Sequence, residues 1–381
     1  MARKTVEKGI SYDEKKKLYY VLLPSGTNAD GKSSKSYVTT KKITEARKIR
    51  KEHLAKKQRG EVLPASAETL VQHAEAFINF KELKLQESTI YGYRNILKNY
   101  IQPYFKNKKI QEVRAGDLEK YVIFIKKKKL SDATSRKHMD LLYSVFEDAK
   151  KKQLIKENPV KLIDRIQPEV QEKTCYNTEE TRALLKSVKG TSIEVPVYLA
   201  VFLGMRRSEI AGLKWEDVNF EERTITIRSA RVQVGQEIVT KKPKTQKSQR
   251  KLLMPDVVCQ VLQREKKREP VKGSMAEPTV RSEYVVNMVN GQPFRPNYIS
   301  DRFTAHLKRH GLKQIRFHDL RHTFASIALD QGADIYEISA SLGHANVHVT
   351  TSVYLHELDP VKRGAIEKVA EGLKLDDETN G

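Results

Sequence analysis

Cysteine is nearly absent from this chain: Cys175 and Cys259 are the only two in 381 residues, and neither has CxxC or CxxH spacing. That excludes a disulfide scaffold and a structural zinc site, and it places the expected working compartment in a reducing cytoplasm. No run of 18 apolar residues and no signal-peptide core occurs, so neither a spanning helix nor export is expected. No phosphate-binding glycine loop and no metal-ligand cluster is found, so no cofactor is expected. Acidic residues are in deficit: 48 Asp and Glu face 71 Lys and Arg, for a net charge of +23 and a pI near 9.7. A polyanion is the natural partner of such a surface, and nucleic acid is the commonest one. The excess is densest in the smallest segment, with +10 over residues 1–62, +7 over 63–170 and +6 beyond. A merely solubilising surface would not require that concentration.

The chain is long enough for two or three domains. Residues 1–62 read as a small three-stranded sheet followed by a helix. Leu18–Leu23 and Ser36–Thr40 have strand composition, a shorter strand falls near Gly9–Tyr12, and a basic helix is expected from Thr44. Tyr19 and Tyr20 point to opposite faces, so the sequence does not say which face is free. Residues 67–165 read as all-helical, with helices over Thr69–Phe80, Ser88–Ile101 (capped by Ser88), Ala115–Ile125 and Ser131–Ile155. In the last, Met139, Leu142, Phe146 and Ala149 mark one face. The Lys126–Lys129 run is either a solvated helix end or a phosphate contact. Residues 174–363 become mixed α/β and mostly helical. Arg223–Arg228 reads as an alternating strand pairing with Arg231–Thr240, and Lys241–Arg250 as a basic loop before Leu252–Met254. Residues 364–381 form a tail, and Pro360–Leu373 is expected to be an amphipathic helix packing on its own domain or on a neighbouring protomer.

The chemistry is concentrated near the C-terminus. His318-Asp319-Leu320-Arg321-His322 is followed by Leu342-Gly343-His344 and then Tyr354, while Gly204-Met205-Arg206-Arg207-Ser208-Glu209 supplies an earlier arginine. Cleaving a DNA phosphodiester without water needs a nucleophile, charge neutralisation at phosphorus and a proton for the departing oxygen. Arginine suits the second task, because its planar fork bonds two phosphate oxygens and stays charged. Arg206 and Arg321 are the obvious pair. His318 and Arg321, three apart on a helix, can face one site. Gly343 can end the preceding helix and leave His344 to donate to the phosphate. Tyr354 can attack, given basic groups that favour its phenolate. Singly, each residue would more often be structural, and His322 is read that way. His318 and His322 have the i, i+4 spacing of a zinc helix, but the glutamate of HExxH is missing and Arg321 sits between them, so metal binding is rejected.

This constellation resembles the tyrosine recombinases of the integrase type carried by phages and conjugative transposons. The resemblance rests on G-M-R-x-S-E at 204–209, Lys244-Thr245, H-x-L-R-H at 318–322, L-G-H at 342–344, and Tyr354. Residues 67–165 resemble the family's helical core-site-binding domain, and residues 1–62 the three-stranded arm-site-binding domain of lambda-like and conjugative-transposon integrases. The resemblance implies that Tyr354 forms a 3′-phosphotyrosine, with a Holliday junction following. Arg206 and Arg321 would clamp the non-bridging oxygens, and Lys244 would protonate the leaving 5′-oxygen. His318 would assist proton transfer, His344 would bond the phosphate, and Glu209 would orient the pocket. Lys241, Lys242 and Lys247 compete with Lys244 for its role.

The expected partners are double-stranded DNA at core and arm attachment sites and three further copies of the chain, since exchange between two duplexes needs four active sites. The resemblance adds an excisionase and a host DNA-bending protein, with no membrane contact and a place beside the bacterial nucleoid. The expected role is integration and excision of a mobile element, including viral genome integration. A chromosome-dimer-resolving recombinase and a type IB topoisomerase share the pocket but not the basic N-terminal module. A catalytically silent DNA-binding regulator would not need Tyr354.

Overall fold

The computed structural model describes residues 3–27, 33–59, 63, 66–168, 174–241, 250–268, 282–288 and 291–343. The chain divides into two compact units, Met1–Val170 and Gln171–Gly381. The first unit opens with an antiparallel sheet of four strands in chain order, β1 (Lys4–Glu7), β2 (Ile10–Asp13), β3 (Leu18–Thr27) and β4 (Ser33–Thr40). The expectation was three strands. The additional β1 is a short edge strand whose residues carry no apolar alternation. It pairs through a two-residue Lys8-Gly9 turn, in which Gly9 adopts φ +83°. Helix α1 (Ile43–Gln58) follows, beginning one residue before the expected Thr44, and Lys42 precedes it without a side-chain cap. Ala46 of α1 packs with Ile10, Val21 and Leu23 of the sheet, leaving Tyr20, Leu22, Tyr37 and Thr39 on the opposite face. Tyr37 is 52% exposed there, and the Arg3 guanidinium lies 3.7 Å from the centre of the Tyr20 ring.

The remainder of this unit is helical: α2 (Leu70–Glu82), α3 (Glu87–Ile96), a π-turn over Leu97–Ile101, the single turn α4 (Gln102–Phe105), α5 (Ala115–Lys127) and α6 (Asp132–Lys151). Thr69 caps α2 by accepting from Gln72 N at 3.2 Å, while the Gln72 side chain accepts from Thr69 N at 3.0 Å. Ser131 caps α6. Ser88 caps nothing, because α3 begins one residue before it. Met139, Leu142, Phe146 and Ala149 all lie on the buried face of α6. Lys126 pairs with Asp132, so part of the lysine run has an intramolecular partner.

The second unit is built around α8 (Glu194–Leu203), preceded by α7 (Thr178–Ser187). Helix α8 is buried on nearly every side, as its sequence EVPVYLAVFL requires. Helix α9 (Arg207–Gly212) leads to the strands β5 (Val218–Asn219), β6 (Thr224–Thr226), β7 (Ala230–Val234), β8 (Glu237–Lys241) and β9 (Lys251–Leu253). The expected partnership of Arg223–Arg228 with Arg231–Thr240 does not form. The second segment folds back on itself at Gly235 (φ +62°) as the β7–β8 hairpin, and β6 pairs instead with β5 and β9. Helices α10 (Asp256–Lys267), α11 (Pro296–Arg309), α12 (Asp319–Asp330) and α13 (Ile335–Leu342) complete the described part. Helix α8 packs against α7, α9, α10 and α12, so the loop after it and the start of α12 meet at one place. The expected Pro360–Leu373 helix and the 364–381 tail lie outside the described residues.

Candidate active site

Helix α8 ends at Gly204 in the left-handed region (φ +59°), and the chain turns immediately into Arg206 and α9. Glycine is required twice over there. A Cβ would lie 2.7 Å from Leu342 Cδ2 and 2.8 Å from Phe324 Cδ1. Arg206 is the N-cap residue of α9 and Glu209 its third residue, so the Glu209 carboxylate reaches back to accept from Arg206 N at 2.9 Å. Arg206 Nη1 donates to Glu209 Oε1 at 2.9 Å. Of the paired arginines in this motif, Arg207 turns away and donates from Nη1 to Ser300 Oγ at 2.7 Å.

Arg321 comes from the first turn of α12 and is 4% exposed. Its Nη1 donates to Gly204 O and its Nη2 to Leu342 O. Arg250 enters from the residue before β9, donating from Nη1 and Nη2 to the two oxygens of Glu209 at 3.1 and 2.8 Å and from Nε to Ser341 O at 2.7 Å. Arg206 Nη2 reaches Gly343 O at 3.4 Å. Three consecutive carbonyls at the C-terminus of α13, those of Ser341, Leu342 and Gly343, therefore each accept from a different arginine. These are groups that a helix leaves without partners at the negative end of its dipole, so cations are well placed there. Gly343 caps α13 at φ +64°, as its place after the amphipathic turn predicts.

Two guanidinium groups, those of Arg206 and Arg250, thus pair with one carboxylate, and a third, Arg321, is held on the neighbouring carbonyls. Burial would raise the Glu209 pKa, but the hydrogen bonds and charge of Arg250, with help from Arg206, outweigh it and hold the carboxyl at about 2. Two of the three cationic charges remain uncompensated by Glu209, which suits an anionic ligand.

His318 stands at the N-terminus of α12, with its ring edge-on to His322 at 5.6 Å between centroids. Part of the residue faces solvent. Desolvation of the ring is nonetheless the largest cause of a pKa held below the ordinary histidine value; Arg321, Arg206 and Arg316 push the same way and Asp319 opposes them. Asp319 is occupied otherwise, accepting from Arg316 N at 2.8 Å and Arg316 Nη2 at 3.0 Å. A neutral imidazole beside two guanidinium groups can accept a proton at neutral pH.

The structure thus gathers Arg206, Glu209, His318 and Arg321 at one place, at the end of the Leu342-Gly343 turn. Lys244, Lys242, Lys247, His344 and Tyr354 lie outside the described residues. Sequence reading missed Arg250, which it counted among the cations of a basic loop. The available signal was period-2 alternation: Arg250 precedes a strand in which Leu252 is buried and its neighbours Lys251 and Leu253 are exposed.

Three arginines meeting at the end of one helix, with a histidine near two of them, make a site suited to an anionic group such as phosphate. Residues 173–360 match the phage integrase family, and residues 69–126 match the phage integrase N-terminal SAM-like domain. The chain belongs to the phage integrase family and is a tyrosine site-specific recombinase. It is 26% identical to a tyrosine recombinase XerC-like protein of Caldanaerobacter subterraneus subsp. tengcongensis, over 96% of this chain and 98% of that protein. It is 23% identical to the ICEBs1 integrase of Bacillus subtilis, over 68% of this chain and 72% of that protein. The fold is shared with residues 82–397 of the Tn1549 transposon integrase in complex with a circular intermediate DNA. That match has a TM-score of 0.69 and 22% identity, and covers 79% of this chain and 99% of the other.

Proposed function

We propose that the protein is the integrase of a mobile element, which inserts and excises DNA by transesterification through Tyr354. The single observation that carries this reading is the convergence of Arg206 and Arg321 on the carbonyls of Gly343 and Leu342, one and two residues before His344. In the proposed reaction the Tyr354 phenolic oxygen attacks the scissile phosphorus and the bond from phosphorus to the 5′-oxygen breaks. The tyrosine proton leaves toward neutral His318, and Lys244 supplies a proton to the departing 5′-oxygen. Arg206 and Arg321 neutralise the non-bridging oxygens where charge develops, His344 adds a donor, and Glu209 holds Arg206 in place. The phosphotyrosine stores the broken ester, so an incoming 5′-hydroxyl reverses the step without metal or nucleotide. Exchange of both strand pairs passes through a Holliday junction in a tetramer, beside the nucleoid.

Under this reading residues 1–62 bind arm sites, residues 67–165 bind core sites and residues 174–363 carry the chemistry, with an excisionase and a DNA-bending protein setting direction. The sheet face that carries Tyr20, Tyr37 and Thr39 is the one left open by α1, and it is the face assigned here to a DNA groove. The integrase names among the relatives support the mobile-element role. The XerC-like name of a relative aligned along nearly the whole chain supports chromosome-dimer resolution as a second reading, against which the basic N-terminal sheet weighs.

The test is a suicide substrate, a nicked duplex carrying candidate element ends, incubated with EDTA. A covalent protein–DNA adduct that disappears in Tyr354→Phe is the expected result. Sequence-selective binding with no adduct on any end would instead mark a silent DNA-binding regulator. Adduct formed only on a chromosomal dimer-resolution site would favour the second reading.

A further inference from the structure

Arg250 differs from the other two arginines in what it can reach. Its side chain is 7% exposed, against 35% for Arg206, and each of its three nitrogens donates to a protein acceptor. The fit is close, since a Cβ on Gly343 would lie 2.9 Å from Arg250 Nη1. We infer that Arg250 is a positioning residue: it binds Glu209 and the end of α13 together, and by occupying Glu209 it leaves Arg206 available to the phosphate. This rests on the reading of Arg206 and Arg321 as the phosphate clamp.

Arg206 and Arg250 compete for Glu209. Glu209 has two arginine partners, and Arg250 supplies two of the three guanidinium hydrogen bonds to it. Both oxygens are taken by the Arg250 fork, a bidentate geometry that lysine cannot reproduce. If Arg250 were removed, a buried carboxylate would retain Arg206 as its one strong counter-charge among the described residues and draw that guanidinium toward itself. Ser341 O would also lose its donor, freeing the α13 terminus that precedes His344. A displacement of about 1 Å in a group that aligns reactants can slow a reaction about 100-fold. DNA affinity depends on many surface cations and should change little.

The experiment uses the full chain and single-turnover cleavage of the nicked duplex, with binding measured separately by titration of the same duplex. R250Q is expected to cleave about 100-fold more slowly than the parent, with a Kd within about threefold, since one phosphate contact among many is at stake at most. R250K, which keeps charge but not the fork, should remain at least about tenfold slow. The decisive variant is R250Q/E209Q. The amide oxygen that E209Q introduces can still accept from Arg206 but lacks the charge that would pull it away, so the double variant should cleave about tenfold faster than R250Q. A purely structural role for Arg250 predicts no such recovery. Cleavage by R250Q at the parental rate would overturn the inference, as would a double variant no faster than R250Q. A loss seen equally in Kd would do the same by making Arg250 a DNA contact. If R250Q does not fold, R250K carries the test. An adduct that survives Tyr354→Phe overturns the underlying reading of the site and this inference with it; loss of that adduct, alongside parental cleavage by R250Q, overturns the inference alone.

Discussion

Replacement of Gly204 by alanine tests whether the turn after α8 is as tightly specified as its geometry says. Two costs are separable. Holding an L-residue in the left-handed region at φ +59° costs about 1–2 kcal/mol. The new methyl would meet Leu342 Cδ2 at 2.7 Å and Phe324 Cδ1 at 2.8 Å, both closer than carbon atoms approach without displacement. Overpacking of this kind costs about 1–3 kcal/mol, which brings the total to about 2–5 kcal/mol. Gly190 is the internal control. It has φ +76° but nothing within 4 Å of its Cβ position, so Gly190→Ala carries the conformational cost alone.

Chemical denaturation of both variants, followed through the unfolding of the second unit, reads the difference directly. Gly204→Ala should be less stable than Gly190→Ala by about 1–3 kcal/mol. Cleavage should fall as well, because Gly204 O accepts from Arg321 and Leu342 is the residue pushed. Equal destabilisation of the two variants would refute the packing argument. Loss of stability with unchanged cleavage would refute the link from this turn to Arg321.

Three further outcomes are expected. His138 is buried, accepts from or donates to Tyr121 Oη at 2.9 Å, and is pushed by burial down to about 4 from 6.5. The unfolded chain binds the proton more readily, so stability of the first unit is complete above pH 6.5 and falls as pH drops toward 4, by about 3 kcal/mol; urea titrations at pH 7 and 4.5 should show this loss in the parent and not in His138→Gln. Glu209, held at about 2 against an ordinary 4.5, contributes stability that is present above pH 4.5 and lost as pH falls toward 2, again about 3 kcal/mol. Glu209→Gln should abolish that acid limb and, by leaving Arg250 buried without its carboxylate, lower stability at pH 7 by about 3–5 kcal/mol in equilibrium unfolding. DNA affinity should fall steeply between 50 and 200 mM salt, by at least about 100-fold if several phosphates are contacted, and a flat titration would count against the basic surface as a DNA-binding one.

The order of chemical groups along the chain was legible without coordinates. The spacings His318-x-x-Arg321, Leu342-Gly343-His344 and Arg206-x-x-Glu209 are local, and a helix of 3.6 residues per turn or a cap with a third-residue acid fixes what such neighbours can share. The buried stripe of α6 was legible for the same reason. The fourth strand of the N-terminal sheet was not, because an exposed edge strand is held by backbone pairing and needs no apolar pattern. The partners of β6 were also hidden, since Gly235 closes β7 on β8 and a non-local strand, β9, takes the vacated edge. Arg250 belongs with these. Its sequence neighbours are basic and unremarked, while its function depends on Glu209, 41 residues earlier, and Ser341, 91 residues later. Local periodicity thus determined which residues could act together within one element. Only tertiary packing decided which arginine faces the site, which one holds the carboxylate, and that the end of α13 receives all three, because a buried charge is tolerated only where distant groups arrive to pair with it.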